Sequence, residues 1–192
     1  MPRPSRESDI LDAALACFAE LGYDATRVKH IAQRAKVSDA ALYRHHPSKE
    51  AVALALFATH MRRSSAAFQA IATNDDMSVA ERIRALARAN LAARAENPAA
   101  HAFILGHQSR FLSALPADFP YPIRIVDRLL QEGQRDGTVK AGPVRVLSAL
   151  TLGCMNWPII AAQHARAGAI DLADPDAVDV IADGAWAAIS AR

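Results

Sequence analysis

The stretch that decides the fold is Thr26–Lys49, TRVKHIAQRAKVSDAALYRHHPSK. Val28, Ile31, Ala32 and Ala35 recur at spacings of three and four, which marks one apolar helical face, and Thr26 stands where a hydroxyl can cap that helix. The pattern predicts a helix to about Lys36, a tight turn with Val37 as a buried hinge, and a second helix capped by Ser38 that carries Ala40, Ala41, Leu42, Tyr43 and His45. Isolated helices shorter than about 12–15 residues are marginal in water. Both must therefore pack on a neighbour, and the amphipathic segment Ser8–Leu21 supplies it: Ile10, Leu11, Ala14, Leu15, Phe18 and Leu21 form one stripe, which Gly22 ends. From Arg27 to Lys49 there are six basic residues (Arg27, Lys29, Arg34, Lys36, Arg44, Lys49) and one acidic residue, Asp39, whereas residues 1–50 as a whole hold eight bases and seven acids. A basic helix-turn-helix with an exposed aromatic hydroxyl fits a helix laid in the major groove of DNA.

Residue chemistry assigns roles within that unit. Thr26 and Ser48 stand at helix starts, where N–H groups and the helix dipole favour an anion such as phosphate. Tyr43 and Lys49 can reach phosphates, which fixes register without reading sequence. Arg44 is the base-reading candidate, because its fork matches guanine O6 and N7 with about 1–3 kcal/mol of discrimination. Asp39 repels phosphate but can accept from a cytosine amino group, and Ala41 offers a methyl contact.

The segment IAQRAKVSDAALYRHHPSKEAV, with Phe18, Gly22 and Tyr23 leading into it, resembles the DNA-binding signature of the tetracycline-repressor-like (TetR) family, of the form IAxxAGVSxxxLYxHFxxKExL. The resemblance covers roughly the first 55 residues. It implies that Thr26, Arg27, Tyr43, His45 and Lys49 hold the phosphate backbone, while Ser38, Asp39, Ala41 and Arg44 face bases or the groove wall. Two positions depart from the pattern. Lys36 stands where a turn glycine is usual, so the turn carries left-handed strain or takes another geometry. His46 replaces phenylalanine, which weakens a packing contact and leaves a titratable group beside the second helix.

The rest of the 192 residues bounds the architecture. Hydrophobic residues make up 52%, largely alanine, and aromatics only 6%, while β-branched runs are scarce. The chain reads as all-α: an N-terminal three-helix helix-turn-helix DNA-binding domain, residues 1–50, followed by a helical effector-binding and dimerisation domain, residues 51–192. Net charge is only +2, so the case for nucleic acid rests on where the charge lies. Cys17 and Cys154 are expected to be thiols in a reduced cytoplasm. The start MPRPSRESD lacks an apolar signal region, and Arg3 and Arg6 lie in a polar arm.

A long helix of about Lys49–Ile71 follows, then a helix from the capping box Ser78–Glu81 to Glu96 that Pro98 stops, another over His101–Phe111, and a proline-rich loop. Ile123, Val126, Leu129 and Leu130 mark a helix ending before Gly133. From Val146 to Ala165 no charged residue occurs. Its Ser148, Thr151, Asn156, Pro158 and Gln163 argue for a helix buried on all sides in a protein or dimer, extending to about Ala167, and against a membrane span. Asp174 and Pro175 open a last helix.

A single helix-turn-helix contacts few base pairs, so a homodimer on double-stranded DNA with a palindromic operator is expected, formed through the last two helices and Trp186. The resemblance further implies a repressor released by a small-molecule effector, apolar or aromatic, bound among the middle helices. His101, Phe103, His107, Phe111, Asn156 and Trp157 are the candidate ligand-binding residues, with Met155 and His164 near them and a kink at Pro158 bordering the pocket. His101 and His107 are six apart, off one helical face, which argues against a metal pair; no metal and no cofactor are expected. An all-α enzyme is the rival from another class, but no catalytic Ser/His/Asp order, HExxH motif or cysteine-ligand spacing occurs. A second rival is an adaptor whose helix-turn-helix binds protein.

Overall fold

The computed structural model describes residues 6–164 and 170–191. Among them nine α-helices form: α1 (Arg6–Leu21), α2 (Val28–Arg34), α3 (Asp39–His45), α4 (Lys49–Ala72), α5 (Val79–Glu96), α6 (Pro98–Phe111), α7 (Pro122–Arg135), α8 (Val144–His164) and α9 (Pro175–Ala187), with a 3-10 turn at Leu112–Ala114. The one extended pairing among the described residues is an antiparallel bridge between Val139 and Ser190. The class is all-α. Arg6 opens α1 instead of lying in an arm, while Arg3 and the expected helical extension to Ala167 fall outside the described residues.

Local chemistry sets the helix ends. Gly22 adopts φ +78°, and its N–H donates to the Phe18 carbonyl at 3.0 Å, so α1 stops there. At the start of α5 the Ser78 N–H donates to Glu81 Oε2 at 2.8 Å, and the Glu81 N–H donates back to Ser78 Oγ at 3.3 Å. Pro98 does more than stop α5. It opens α6, where Asn97 Oδ1 accepts from the Ala100 N–H at 2.9 Å.

By packing, the chain groups into two compact units, Met1–Met61 with Asn97–Phe119 and Arg62–Glu96 with Pro120–Arg192. This grouping differs from a division at residue 50, because α6 packs on α1. In the first unit α1 also supports α2, and α2 supports α3, around buried Ile10, Ala14, Phe18, Ile31, Leu42, Leu56 and Phe57. Aromatic rings join α1, α4 and α6: Phe18 stacks on Phe103 at 5.4 Å between centroids, and Phe57 meets Phe111 at 5.8 Å. Cys17 is a buried free thiol.

In the second unit α5 and α9 pair closely and α8 packs on α7 and α9, around Ile83, Leu86, Val126, Leu130, Met155 and Ile189. Arg82 is buried within it. Its guanidinium donates to the carbonyls of Met77 and Ala72 and to the Glu132 carboxylate, so a charge that would be costly alone ties α5 to α7 and to the end of α4. Contrary to the sequence expectation, α7 runs through Gly133 to Arg135. Glycine there serves close approach and not a helix stop: a Cβ at Gly133 would lie 2.4 Å from Val139 Cγ2 and 3.1 Å from Val79 Cγ1. Gly133→Ala should therefore lower unfolding free energy by ~1–3 kcal/mol, read from a urea midpoint. An unchanged midpoint would mean that Val139 moves aside freely.

His46 caps the C-terminus of α3, its N–H donating to the Leu42 carbonyl at 2.9 Å. The side chain is 6% exposed and its Nε2 has no hydrogen-bond partner. Burial pushes the imidazole below its ordinary pKa, against a smaller opposing effect of Glu7, and His45 adds to the lowering. Because the folded pKa is depressed, the unfolded chain takes up the proton first as pH falls. The stability of the neutral form is thus complete above the unfolded value of about 6.5 and declines as acid carries the chain through the lower folded value. His46→Phe should flatten the loss of thermal midpoint on acidification from about pH 7.5 to 5.5. Parallel curves for the two proteins would reject this account.

Candidate nucleic-acid interface

The second helix of the pair is short, and its two faces differ sharply. Ser38 Oγ accepts from the Ala41 N–H at 3.1 Å, fixing the start of α3 as the sequence predicts. Asp39 in the first turn complements the helix dipole. Leu42 is fully buried, and Ala41 is half-buried. On the other side Ser38, Asp39, Ala40, Tyr43, Arg44 and His45 all face outward, with Tyr43 50% exposed. Five of the predicted interface residues, Ser38, Asp39, Tyr43, Arg44 and His45, thus share the outward side of one short element. Arg27 is exposed at the N-cap of α2, and its backbone N–H donates to His30 Nδ1 at 3.2 Å.

The turn keeps a glycine-like geometry despite its lysine. Lys36 adopts φ +55°, its N–H donates to the Gln33 carbonyl at 3.2 Å, and the Val37 N–H donates to the Ala32 carbonyl at 3.0 Å. These two bonds are those of a Schellman ending with residue 36 in the left-handed position. Val37 is half-buried and not sealed in the core.

Two predicted phosphate contacts have other tasks here. Thr26 does not cap α2. It is 1% exposed, and its hydroxyl donates inward to the carbonyls of Gly22 at 2.7 Å and Cys17 at 3.1 Å, tying the loop to the end of α1, while Arg27 takes the N-cap position. The Lys49 ammonium donates to the carbonyls of Tyr23 at 2.8 Å and Asp24 at 3.1 Å and lies 4.5 Å from the Tyr23 ring centroid. It closes the reading unit by pinning the start of α4 to the loop after α1. The expected Ser48 cap is present, Ser48 Oγ accepting from the Ala51 N–H at 3.1 Å.

Ion pairs unseen in the sequence redistribute the local charge. Arg34 binds Glu20 through two hydrogen bonds of 2.6 and 2.7 Å, and Arg110 pairs with Glu50 at 2.5 Å while covering the Tyr23 ring. The Arg110–Glu50 pair spans 60 positions, so no local pattern announces it. Among the described residues, Arg34 is held by Glu20 and Lys49 by backbone carbonyls, whereas the segment's other cations, Arg27, Lys29, Lys36 and Arg44, are exposed and form no ion pair.

The effector candidates are distributed over both units. Phe103, His107 and Phe111 belong to the first unit, where His107 lies 4.6 Å from Phe103 and 5.4 Å from Tyr23 between ring centroids, in a packed aromatic cluster. His101 stands on the same helix, half-buried. Asn156 and Trp157 belong to the second unit. Asn156 Oδ1 accepts from Asn90 Nδ2 at 3.0 Å, whereas Trp157 points outward at 67% exposure. Helix α8 continues through Pro158. The side chain of His164 lies outside the described residues. Within the single chain, Val146, Leu150 and Trp157 are exposed along the uncharged helix α8.

Residues 10–56 match the model of the bacterial regulatory proteins of the tetR family. Over 51 residues, 27% of this chain, the sequence is 43% identical to the HTH-type transcriptional regulator YuxN of Bacillus subtilis (strain 168), and over 47 residues, 24% of this chain, it is 47% identical to the A-factor receptor protein of Streptomyces griseus. These matched segments span 18% and 17% of the respective relatives. A crystal structure from Shewanella sp. PV-4, assigned to the tetR family of transcription regulators, superposes with a TM-score of 0.79 at 21% identity, covering 98% of this chain and 100% of that one. The superposition establishes a shared fold along the whole chain, and the family-model match at residues 10–56 spans α1, α2, α3 and the start of α4. The family is one of regulators and not of enzymes. Residues 10–56 thus resemble the helix-turn-helix of the bacterial tetR-family regulators, and the fold along the whole chain is shared with the Shewanella structure.

Proposed function

We propose that this protein is a ligand-responsive repressor that binds a palindromic operator as a homodimer, with residues 1–50 reading DNA and residues 51–192 serving dimerisation and effector binding. The observation that carries DNA reading is the outward face of α3. Ser38, Asp39, Tyr43, Arg44 and His45 are all accessible there while Leu42 anchors the opposite side. A helix so presented fits the major groove, with Arg44 and Asp39 at base edges, Ala41 at the groove wall, and Tyr43, His45 and Arg27 on phosphates. Thr26 and Lys49 support the unit from behind, as their inward hydrogen bonds indicate.

Dimerisation follows from the surface of the second unit. Val146, Leu150 and Trp157 lie at helical spacing along one face of α8, and Val180 on α9 is 71% exposed. The Val144–Ala162 segment is long and apolar enough to cross a membrane. Its opposite face, with Leu147, Thr151, Met155 and Ile159, is buried within the chain, which favours a second protein surface over lipid, and a cytoplasmic protein. Among the relatives, the A-factor receptor protein is named as a receptor, which supports a small-molecule effector for this chain as well. Such a ligand would act by binding the DNA-incompetent arrangement more tightly. Helix α4, continuous from Lys49 to Ala72, is the covalent route between the two functions.

Selection of bound duplexes from a random pool should return an inverted repeat. Arg44→Ala should then lose about 1–3 kcal/mol of discrimination at one position of each half-site while retaining general affinity. No retention of any duplex by the wild type would reject DNA reading. Leu150→Glu combined with Trp157→Glu should convert a micromolar dimer into a folded monomer by light scattering. A wild type that is already monomeric would reject the dimer.

A further inference from the structure

The turn between α2 and α3 holds a lysine in a conformation that lysine disfavours. At φ +55° the Cβ of Lys36 crowds the following carbonyl, a position that glycine occupies without penalty. Both Schellman hydrogen bonds are made, so the backbone here is dictated by the ending of α2 and not by the side chain. A residue held against its preference by the surrounding structure suggests that its side chain has a use. The side chain of Lys36 is exposed, and its ammonium forms no ion pair, in contrast to Arg34, which Glu20 neutralises, and Lys49, which is bound to the carbonyls of Tyr23 and Asp24. Lys36 stands two residues before the Ser38 cap, at the entry to α3. In a helix-turn-helix the N-terminal end of the second helix approaches base edges while the first helix crosses the backbone. The turn between them is therefore carried toward a phosphate strand.

We propose that Lys36 is a DNA-backbone anchor, a positioning residue that contacts a phosphate flanking the entry of α3 into the groove and accepts left-handed strain in order to present its charge there. It supplies one of the phosphate contacts that Thr26 and Lys49, both turned inward, do not. This proposal rests on the reading of α3 as the groove helix, and it adds a contact that carries no base information.

The test uses the full-length protein and a duplex selected by the wild type. Lys36→Gly removes the charge and relieves the strain together, so two readouts should move in opposite directions. The thermal midpoint should rise by about 2–4 °C. Affinity for the duplex should fall about fivefold or more near physiological salt, and the slope of log affinity against log salt should shrink by about 0.9 per protomer. Lys36→Asn tolerates the same backbone but lacks the charge and should show the same loss of slope, whereas Lys36→Arg should keep the wild-type slope. An unchanged slope in Lys36→Gly, with the wild type binding DNA, would overturn the anchor and leave DNA reading intact. An unraised thermal midpoint would remove the strain on which the inference stands. Failure of the wild type to retain any duplex would overturn the anchor together with the groove reading, and the two kinds of failure are told apart by that control.

Discussion

The reading element of this protein is a helix of seven residues, and a helix that short does not hold its shape in water. What holds it is burial. Leu42 and Ile31 have no exposed surface, and fully burying a side chain of that kind contributes about 1.5–3 kcal/mol. The support runs in series, α3 on α2, α2 on α1, and α1 on α6, with the Phe18–Phe103 stack at the last step. The outward face of α3 is thus free to be polar because the inward face is anchored so deeply.

The same economy governs the cations. The cations of the basic Arg27–Lys49 segment, together with Arg110 on α6, divide into charges that hold the protein together and charges left available to a polyanion. Arg34, Lys49 and Arg110 belong to the first group, joined to Glu20, to backbone carbonyls and to Glu50. Arg27, Lys29, Lys36 and Arg44 belong to the second. Near a surface an ion pair contributes little to stability. Its effect here is positional: Lys49 joins α4 to the loop after α1, and Arg110 joins α6 to α4 while shielding Tyr23. The field presented to a duplex is then that of a few arginines and lysines around α3 and not that of the whole segment.

In the second unit, one helix has to satisfy two surfaces. The inward side of α8 carries Leu147, Thr151, Met155 and Ile159, and its polar members are satisfied locally: the Thr151 hydroxyl donates to the Leu147 carbonyl at 2.9 Å, and Ser148 donates to Asp127 at 2.6 Å. The outward side repeats apolar residues at Val146, Leu150 and Trp157, which are 46–67% exposed among the described residues. The uncharged run thus faces the core on one side and presents an exposed apolar surface on the other. Arg84 and Arg88 on α5 pair with Asp183 and Asp179 on α9, which keeps α9 in place beside α8.

Much of the fold was legible in the sequence, because helices announce themselves through local rules. Periodicity placed α1, the length of α4 was within a residue, and Ser38, Ser48, Ser78 and Asp174 cap where their side chains suggested. The outward residues of α3 were legible for the same reason, since one buried leucine fixes the orientation of a two-turn helix. What tertiary structure alone decided was the use of groups whose partners are far away in the chain. Thr26 turned inward to Cys17 and Gly22, Lys49 reached back to Tyr23, Val139 and Val79 approach Gly133 too closely for a Cβ, and Phe103, His107 and Phe111 joined the aromatic cluster of the first unit. Spacing along a chain reports which residues share a face. Which face meets which, and therefore whether a charge or hydroxyl is spent inside the protein or left for a partner, is settled only when separate helices pack.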